Sequence, residues 1–306
     1  MRSLIFILGI CLFATSLNAQ NTKALEGRWD IEMEFEGKTV PSWLEIKHSG
    51  HATLIGRFVF ALGSARPIAE IVENEGVITF SIPRQWEPEG GPMQFNAKLV
   101  GDALIGTMKY VDGKLYTWKG TKAPSLVRNT PPKPKDPIDL FNGKDLSGWH
   151  ANGENQWVVQ DGILKSPKSG ANLISDQEFA DFKASIEFRY PEGSNSGIYL
   201  RGRYEVQIAD NIGLPPSDIY FGGVYGFLEP NENAAKSAGE WQTYDITLIG
   251  RRVTIVANGK TIINDQTIPG ITGGAIDSKE GEPGPFLIQG DHGPIEFKKF
   301  TVVPLD

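Results

Sequence analysis

Short segments of alternating apolar and polar residues run through most of the chain, and Gly, Asp or Asn bounds most of them. Alternation with a period of two is typical of half-buried β-strands, whereas few windows show the three- and four-residue spacing of an amphipathic helix. The 35 glycines and 20 prolines among 306 residues agree with a chain built of strands and turns. The pattern therefore predicts an all-β protein.

Residues 21–123 contain about eight such segments at regular spacing, which predicts a lipocalin-like up-and-down β-barrel or a small sandwich. Gly27-Arg28-Trp29 opens the first segment and resembles the Gly-x-Trp start of lipocalin-like barrels. The segment offers no paired acid and base. We interpret it as an accessory barrel, and a ligand-holding barrel is the alternative.

A run of prolines within residues 124–137 separates this segment from the rest of the chain. Proline has no N–H for a sheet ladder and favours extended polyproline geometry, so the run predicts a semi-rigid linker between two domains. A long loop within one domain is the alternative. Residues 138–306 alternate again, with a type I′ turn expected at Asn258-Gly259. Their long antiparallel strands predict a two-sheet jelly roll.

Residues 1–19 have the form of an export signal. A charged start at Met1-Arg2-Ser3 precedes an apolar run, Leu4–Phe13, that is too short to span a bilayer, and a small-residue end follows. We expect cleavage before Gln20 and a periplasmic or secreted protein, with a buried N-terminal helix as the alternative. Cys11 is the only cysteine, so the mature chain would have no disulfide and no thiolate chemistry.

The formal net charge of −7 argues against nucleic acid as a partner. No second long apolar run follows the export signal, so we expect no transmembrane segment in the mature chain. None of the four histidines lies at a metal-ligand spacing from another with acids nearby. The sequence predicts no metal centre and no cofactor, although carboxylates and carbonyls leave room for a structural calcium ion.

The alternation over residues 197–208 predicts a hairpin with one polar face. A three-residue turn would pair Tyr199 with Glu205 and Gly197 with Gln207, and all the apolar side chains would then face the core. A two-residue turn would mix polar and apolar side chains on both faces. The polar face then holds Tyr199, Arg201, Glu205 and Gln207. Gly197 is expected to leave an open space above Gln207 where a sugar ring could lie.

Five segments, in this order, resemble the 3-keto-disaccharide hydrolase domain family across nearly all of residues 137–306. They are Leu140–Trp149, Asn195–Arg201, Tyr204–Ile208, Gly239–Gln242 and Leu287–Gly293. The resemblance implies a concanavalin A-like sandwich and the cleavage of sugars that already carry a ketone at C3. Within these segments Asn195, Trp241 and Gln289 are candidate substrate-binding residues, and ordinary loop or core roles are the alternatives.

A 3-keto sugar could be cleaved with a single general base. The ketone makes the C2 proton acidic, so the group at C1 could leave by elimination and water could then add. Our hypothesis makes Glu205 or His292 the base. Arg201, Gln207 or Tyr199 would then donate hydrogen bonds to the enolate or to hydroxyls. An ion pair with a neighbouring arginine is the alternative for Glu205, and a plain loop role is the alternative for His292.

The hexapeptide Glu205–Asp210 also resembles the catalytic strand of laminarinase-type glucanases, which carries acids at positions one, three and six. Here position three is Gln207, and position six is Asp210, which is one methylene shorter than Glu. Retaining hydrolysis needs two carboxyls about 5 Å apart, so these departures count against a conventional glucanase that uses Glu205 and Asp210. A lectin-like module that binds glycan without cleaving it is the other hypothesis, and Asp210 could simply form a turn.

Overall fold

The structure is a computed structural model that describes residues 22–306. The predicted export signal, residues 1–19, lies outside the described residues. The chain divides into two compact units, the first of which comprises the chain up to Phe58 and Arg66–Ala123. The second comprises Val59–Ala65 and Pro124–Asp306. Within the described part, no helix is both long and apolar enough to cross a membrane.

The first unit contains a closed antiparallel barrel in which each of eight strands pairs with the next and the first pairs with the last. The strands are β1 (Gly27–Phe35), β2 (Lys38–Ser49), β3 (Thr53–Val59), β4 (Arg66–Asn74), β5 (Val77–Ile82), β6 (Met93–Val100), β7 (Ala103–Lys109) and β8 (Leu115–Lys122). Alternate side chains fill the interior, as Trp29, Ile31 and Met33 of β1 show by their complete burial. The predicted up-and-down barrel is confirmed.

The second unit is a sandwich of two antiparallel sheets, which confirms the predicted jelly roll. Its strands are β9 (Ile138–Asp139), β10 (Trp149–Ala151), β11 (Val158–Gln160), β12 (Ile163–Ser166), β13 (Leu173–Phe179), β14 (Asp181–Arg189), β15 (Asn195–Leu200), β16 (Tyr204–Ala209), β17 (Gln242–Ile249), β18 (Arg252–Ala257), β19 (Lys260–Thr267), β20 (Gly284–Ile288) and β21 (Ile295–Leu305). The five-stranded sheet has the order β10-β13-β20-β15-β16. The eight-stranded sheet has the order β11-β12-β21-β14-β17-β18-β19, and β9 pairs with β21.

Aromatic side chains from both sheets meet in the core of the sandwich. The ring of Phe286, on the five-stranded sheet, lies 4.7 Å from that of Phe182 and 5.0 Å from that of Phe300. Phe182 and Phe300 belong to the eight-stranded sheet. Each such tilted or edge-on pair adds about 0.5–1.5 kcal/mol beyond the burial of its area. The inward faces of the strands therefore hold the two sheets together, and their other faces are left for function.

The proline-rich segment, residues 124–137, lies along the last strand of the second unit. Lys133 N donates to Asp306 O at 2.6 Å, and Asp306 N donates to Lys133 O at 2.9 Å. Farther back, the guanidinium of Arg128 forms two hydrogen bonds with the carboxylate of Asp181, at 2.6 and 3.0 Å. The segment is therefore attached to the sandwich at both of these places.

Candidate functional site

The site is built on the hairpin of β15 and β16 in the five-stranded sheet. Its register has Gly197 opposite Gln207 and Tyr199 opposite Glu205, so the predicted three-residue turn is confirmed. The apolar side chains of both strands face inward and are completely buried; they are Ile198, Leu200, Tyr204, Val206 and Ile208. Because side chains alternate along a strand, Tyr199 and Glu205 lie together on the opposite face.

Residues 222–225 extend the sheet beyond the outer edge of β16. Val224 forms an antiparallel bridge with Val206, and Tyr225 N donates to Glu205 O at 3.0 Å. One step along, Gln207 N donates to Gly223 O at 2.9 Å. Tyr225 is therefore the cross-strand neighbour of Glu205, on the same face of the sheet.

The opposite neighbour of β15 completes two rows of side chains across the sheet. Tyr199 pairs with Leu287 of β20, and Gln289 N donates to Gly197 O at 2.9 Å. The first row runs Leu287, Tyr199, Glu205, Tyr225, and the second runs Gln289, Gly197, Gln207, Gly223. The glycines of the second row have no side chain, so their neighbours can lean over them.

Glu205 occupies the centre of this face and is 3% exposed. Tyr199 Oη donates to Glu205 Oε2 at 3.0 Å, and the backbone N of Glu205 donates to Thr272 Oγ1 at 3.0 Å. A Cβ placed on Gly197 would lie 2.2 Å from Glu205 Oε1. The carboxyl therefore lies over Gly197. The expectation of an open space above that glycine was wrong, because the side chain of the diagonal neighbour fills it.

The environment of Glu205 favours the protonated carboxyl. Burial raises the pKa of Glu205 from its ordinary value of 4.5 to about 8; the negative charge of Asp291 acts in the same direction, and the hydrogen bond from Tyr199 opposes it. Burial and the charge of Glu205 also keep the pKa of Tyr199 well above its ordinary value. At neutral pH most Glu205 side chains are protonated. The minority that are ionised form a stronger base than an ordinary carboxylate.

The hydroxyl of Tyr199 can serve both states of this carboxyl. It lies 3.0 Å from Glu205 Oε2 and also 3.0 Å from the carbonyl oxygen of Gly273, and it has one proton to donate. When Glu205 is ionised, that proton can point to the carboxylate. When Glu205 is protonated, the tyrosine can donate to Gly273 and accept from the carboxyl. A change of charge on Glu205 then requires only a rotation of two hydroxyl groups.

Two amide groups in the second row have oxygens with no partner. Gln207 is 3% exposed, and its Nε2 donates to Ile219 O at 3.3 Å. Its Oε1 is buried without a hydrogen-bond partner within residues 22–306, and Gln289 Oε1 is in the same condition. An unpaired buried acceptor costs roughly 1–3 kcal/mol, which a hydroxyl donor from a ligand would recover. The two amides therefore carry unused hydrogen-bond acceptors on this face of the sheet.

Arg201 does not belong to the polar face, which corrects the expectation from alternation. Its backbone adopts φ of 54° within the turn, so alternation of the side chains ends there. Its Nη2 instead donates to Tyr204 Oη at 3.0 Å and to Gly250 O at 2.8 Å, and the residue is 1% exposed. Arg201 therefore supports the core behind the hairpin, and its alternative ion pair with Glu205 is absent.

The other two candidate acid–base residues lie at the margins of the face. Asp210 Oδ2 accepts from Gly193 N at 2.9 Å, which fixes a turn next to the strand. His292 is exposed, and its Nδ1 lies 2.7 Å from Asp291 Oδ1. The charge of Asp291 acts on the pKa of Glu205, which places this loop near the carboxyl. Asp291 therefore acts on the carboxyl of Glu205, whereas Asp210 is turned towards Gly193.

The remaining candidates divide between the two sheets. Asn195 pairs with Ala209 on the same hairpin, one row beyond Gln207. Trp241 directly precedes β17 of the eight-stranded sheet, and its ring lies under the guanidinium of Arg189 at 4.7 Å and the ammonium of Lys298 at 4.4 Å. Both cations are also on the eight-stranded sheet. Trp241 is therefore occupied by cation–π contacts away from the Glu205 sheet.

Sequence reasoning missed Tyr225 and Asp291. Tyr225 lies two residues after Gly222-Gly223, and glycines permit the chain to pass close to β16. An aromatic residue inside such a glycine-rich segment was the available signal. Asp291 directly precedes His292, and a carboxylate beside a candidate base was a second one. Among the residues described, no three His, Cys, Asp or Glu are grouped so that they could hold a metal ion.

The sequence profile of the 3-keto-alpha-glucoside-1,2-lyase-like domain matches residues 136–303. A curated protein from Bacteroides thetaiotaomicron named 3-keto-disaccharide hydrolase is 22% identical, over 41% of this chain and 57% of its own length. The chain thus spans less than two thirds of that relative.

The chain is similar to many solved structures, of which two are described. One, from Parabacteroides distasonis, bears the name glycosyl hydrolase; it is 32% identical, covers 56% of this chain and 84% of its own, and has a TM-score of 0.46. The other is a non-specific endo-β-1,3(4)-glucanase of family GH16, which is 10% identical and covers 59% of this chain and 94% of its own, with a TM-score of 0.39.

Proposed function

Because the chain belongs to the 3-keto-alpha-glucoside-1,2-lyase-like domain family, we propose that it is a glycosidase that cleaves 3-keto-glycosides, 3-keto-disaccharides among them. The observation that carries the proposal is Glu205, a buried carboxyl whose pKa is raised to about 8 and which forms no ion pair with a cation of residues 22–306. Such a group exchanges protons near neutral pH. One exchangeable proton is what an elimination from a keto sugar requires.

The reaction begins with the removal of the C2 proton. The ionised carboxylate of Glu205 takes this proton, and the electron pair of the C2–H bond moves into an enolate whose charge rests on the C3 oxygen. The enolate then re-forms the ketone while the bond between C1 and the glycosidic oxygen breaks, leaving a C1–C2 double bond. Water then adds its hydroxyl to C1 while its remaining proton goes to the departed oxygen. Glu205 returns its proton to C2, which gives the free 3-keto sugar and the free leaving group. No oxidant or reductant is consumed.

The neighbours of Glu205 have supporting roles in this proposal. Tyr199 holds the carboxyl over Gly197 and stabilises its ionised state through the 3.0 Å hydrogen bond. The free oxygens of Gln207 and Gln289 accept hydrogen bonds from hydroxyls of the sugar ring. A positioned base contributes about 10²–10⁴-fold to the rate of such a step.

The same residues weaken the case for a conventional glucanase. That mechanism needs a second carboxyl beside the first, and Gln207 occupies the nearest position on the strand. Asp210 is bound to the backbone of Gly193 instead. A lectin-like role remains the second candidate, because the two free amide oxygens would serve binding equally well.

Product analysis tests the proposal. The purified protein is incubated with a 3-keto-disaccharide and with the unoxidised parent sugar, and release of the free sugars is followed. We expect release from the oxidised sugar only, a loss of about 10²–10⁴-fold in Glu205→Gln, and little change in the matched control Asp210→Asn. Full activity of Glu205→Gln would show that Glu205 is not the base. Binding without any product over a series of 3-keto sugars would favour the lectin-like role.

We further propose that this reaction takes place in the periplasm or outside the cell. The charged start, short apolar run and small-residue end of residues 1–19 support this. Expression of the full chain followed by cell fractionation and N-terminal sequencing tests it. We expect a processed protein that begins at Gln20 in the periplasmic or culture fraction. An unprocessed chain retained in the cytoplasm would contradict the proposal.

A further inference from the structure

Tyr225 lies beside Glu205 on the outer edge of the five-stranded sheet. Tyr225 N donates to Glu205 O at 3.0 Å, and the bridge between Val224 and Val206 fixes the register. Residues that face each other across antiparallel strands have their Cβ atoms roughly 4.5–5.5 Å apart and project to the same side. The phenol of Tyr225 therefore shares the face of the Glu205 carboxyl.

Tyr225 differs from Tyr199 in its access to a ligand. Tyr199 is 3% exposed, and its hydroxyl is engaged with Glu205 and Gly273. Tyr225 is only half-buried, and within the described part of the chain its hydroxyl forms no hydrogen bond. Of the two phenols that flank the carboxyl, Tyr225 is the more exposed, and its hydroxyl is not already engaged as that of Tyr199 is.

The electrostatic surroundings keep a proton on Tyr225. Burial raises the pKa of its phenol, and the negative charges of Glu205 and Asp218 raise it further. The ring is also close enough to Tyr199 to affect the pKa of that residue. Two phenols and a carboxyl thus form one cluster, in which the carboxyl can take a proton and the accessible phenol has one to give.

We propose that Tyr225 is a further catalytic residue, which protonates the glycosidic oxygen as it departs from C1. The inference rests on the proposed function and assigns its second proton transfer. As the C1–O bond breaks, its electron pair stays on the departing oxygen, which takes the phenol proton of Tyr225. The phenolate then takes a proton from the water molecule whose oxygen adds to C1, so Tyr225 ends the cycle protonated.

The other polar groups near Glu205 fit this role less well. His292 is exposed, and its Nδ1 lies 2.7 Å from Asp291 Oδ1. Asp210 is turned towards Gly193. Gln207 and Gln289 have no acidic proton. Tyr225 is the one of these groups that combines a transferable proton, a free hydroxyl and a place in the same row as the base.

The dependence on the leaving group tests this assignment. Tyr225→Phe removes only the hydroxyl, and Tyr220→Phe, in the same loop, is the matched control. An alcohol or sugar leaves poorly without a proton, whereas a nitrophenolate needs none. We expect Tyr225→Phe to lose about 10²–10³-fold in kcat on a 3-keto-disaccharide and less than about threefold on a 3-keto nitrophenyl glucoside. Tyr220→Phe should be unaffected on both substrates.

Exchange at C2 in D₂O separates the inference from the function on which it rests. If expulsion is slowed, the enolate returns to substrate, so Tyr225→Phe should incorporate deuterium at C2 of recovered substrate faster than it forms product. Glu205→Gln should lose both exchange and elimination. If Glu205→Gln keeps both, Glu205 is not the base. If the wild type shows neither exchange nor elimination, the proposed function fails, whatever Tyr225 does.

Three results would overturn the role of Tyr225. The first is an equal loss on both substrates, which would place the phenol in deprotonation at C2. The second is no loss on either substrate. The third is the loss of both elimination and deuterium exchange at C2 in Tyr225→Phe. Because the hydroxyl has no hydrogen-bond partner among residues 22–306, Tyr225→Phe should melt within a few degrees of the wild type. If Tyr225→Phe is much less stable than that, the wild-type enzyme is tested on a series of leaving groups. A steep dependence of its rate on leaving-group pKa overturns the role, and a shallow dependence supports it.

Discussion

Two buried glutamates, one in each unit, differ in what lies beside them. In the barrel, Glu87 is 7% exposed, and its Oε1 accepts from Nη2 of the fully buried Arg66 at 2.5 Å. In the sandwich, Glu205 is 3% exposed, and its side chain has a neutral phenol as its hydrogen-bond donor. Burial raises the pKa of both carboxyls. For Glu87 the hydrogen bonds from Arg66 and the backbone outweigh burial, so its pKa is lowered.

The difference shows what a catalytic carboxyl requires beyond burial. A buried carboxyl with a cation beside it stays ionised at neutral pH and stabilises the structure as half of an ion pair. A buried carboxyl beside a phenol retains its proton until the pH approaches 8, so it can gain and lose that proton during a reaction. The partner, more than the depth of burial, separates the ion-paired glutamate from the one that we propose as the base.

Exchanging each carboxyl for an amide should affect activity in only one unit. Glu205→Gln keeps the shape of the side chain but removes the base, so we expect the turnover of a 3-keto-disaccharide to fall by about 10²–10⁴-fold. Glu87→Gln should leave turnover per folded molecule unchanged. Initial rates, corrected for the folded fraction measured by circular dichroism, compare the two. Similar losses in both variants would contradict the distinction.

The same two substitutions should affect stability in the opposite order, with the larger loss in Glu87→Gln. Glu87→Gln leaves the buried guanidinium of Arg66 without its counter-charge, and breaking a buried pair in this way costs about 3–5 kcal/mol. Glu205→Gln replaces a protonated acid by another neutral group at neutral pH and should cost much less. Urea unfolding that resolves the two units checks this. A barrel that is equally stable in Glu87→Gln would show that the ion pair contributes nothing.

The pH dependence of stability should also distinguish Glu205. Its pKa is raised in the folded protein, so the folded state binds more protons than the unfolded state between pH 4.5 and about 8. The stability it contributes is complete below pH 4.5 and is lost as the pH rises to about 8. Between pH 6 and 8 the wild type should lose about 2–3 kcal/mol relative to Glu205→Gln. Parallel unfolding curves of the two proteins at both pH values would contradict this.

Removing the phenol beside Glu205 should move its titration upward. Tyr199→Phe deletes the hydrogen bond that favours the ionised carboxyl, so the pKa of Glu205 should rise further. A hydrogen bond to a charged group is worth about 1.5–3 kcal/mol, which corresponds to roughly tenfold or more in rate at neutral pH. The midpoint of the pH–rate profile measures the shift. A downward shift would show that Tyr199 does not stabilise the carboxylate.

Asp291→Asn should have the smallest effect, and in the opposite direction. The charge of Asp291 helps to raise the pKa of Glu205, so its removal should lower the midpoint and raise the rate at neutral pH by a few-fold. Asp291 is exposed, so added salt should mimic the substitution in the wild type. A midpoint that responds to neither the substitution nor salt would show that the charge of Asp291 does not influence the pKa of Glu205.

Much of the fold could be predicted from local patterns. Regular alternation predicted both the barrel and the sandwich, because a half-buried strand repeats every two residues. The two-residue turn at Asn258-Gly259 has positive φ at both positions, 50° and 81°, as the type I′ geometry requires. The register of the hairpin of β15 and β16 followed from the need to bury one face.

The details of the site needed three-dimensional information. Alternation placed Arg201 on the polar face, but the turn gives it φ of 54° and directs it to Gly250. The space above Gly197 was expected to be empty because a strand pattern does not show that Glu205 leans diagonally across it. Tyr225 reaches the site through a bridge between a loop and β16, and such pairings leave no periodic signal.

The pH dependence of kcat/KM on a 3-keto-disaccharide tests the central claim most directly, because it reports the ionisation of the free enzyme's base. The account predicts a rate that rises with pH to a plateau, with a midpoint at about 8, and a residual rate in Glu205→Gln that lacks this rise. A midpoint near the ordinary glutamate value of 4.5, or the same rise in Glu205→Gln, would show that Glu205 is not the group that takes the proton.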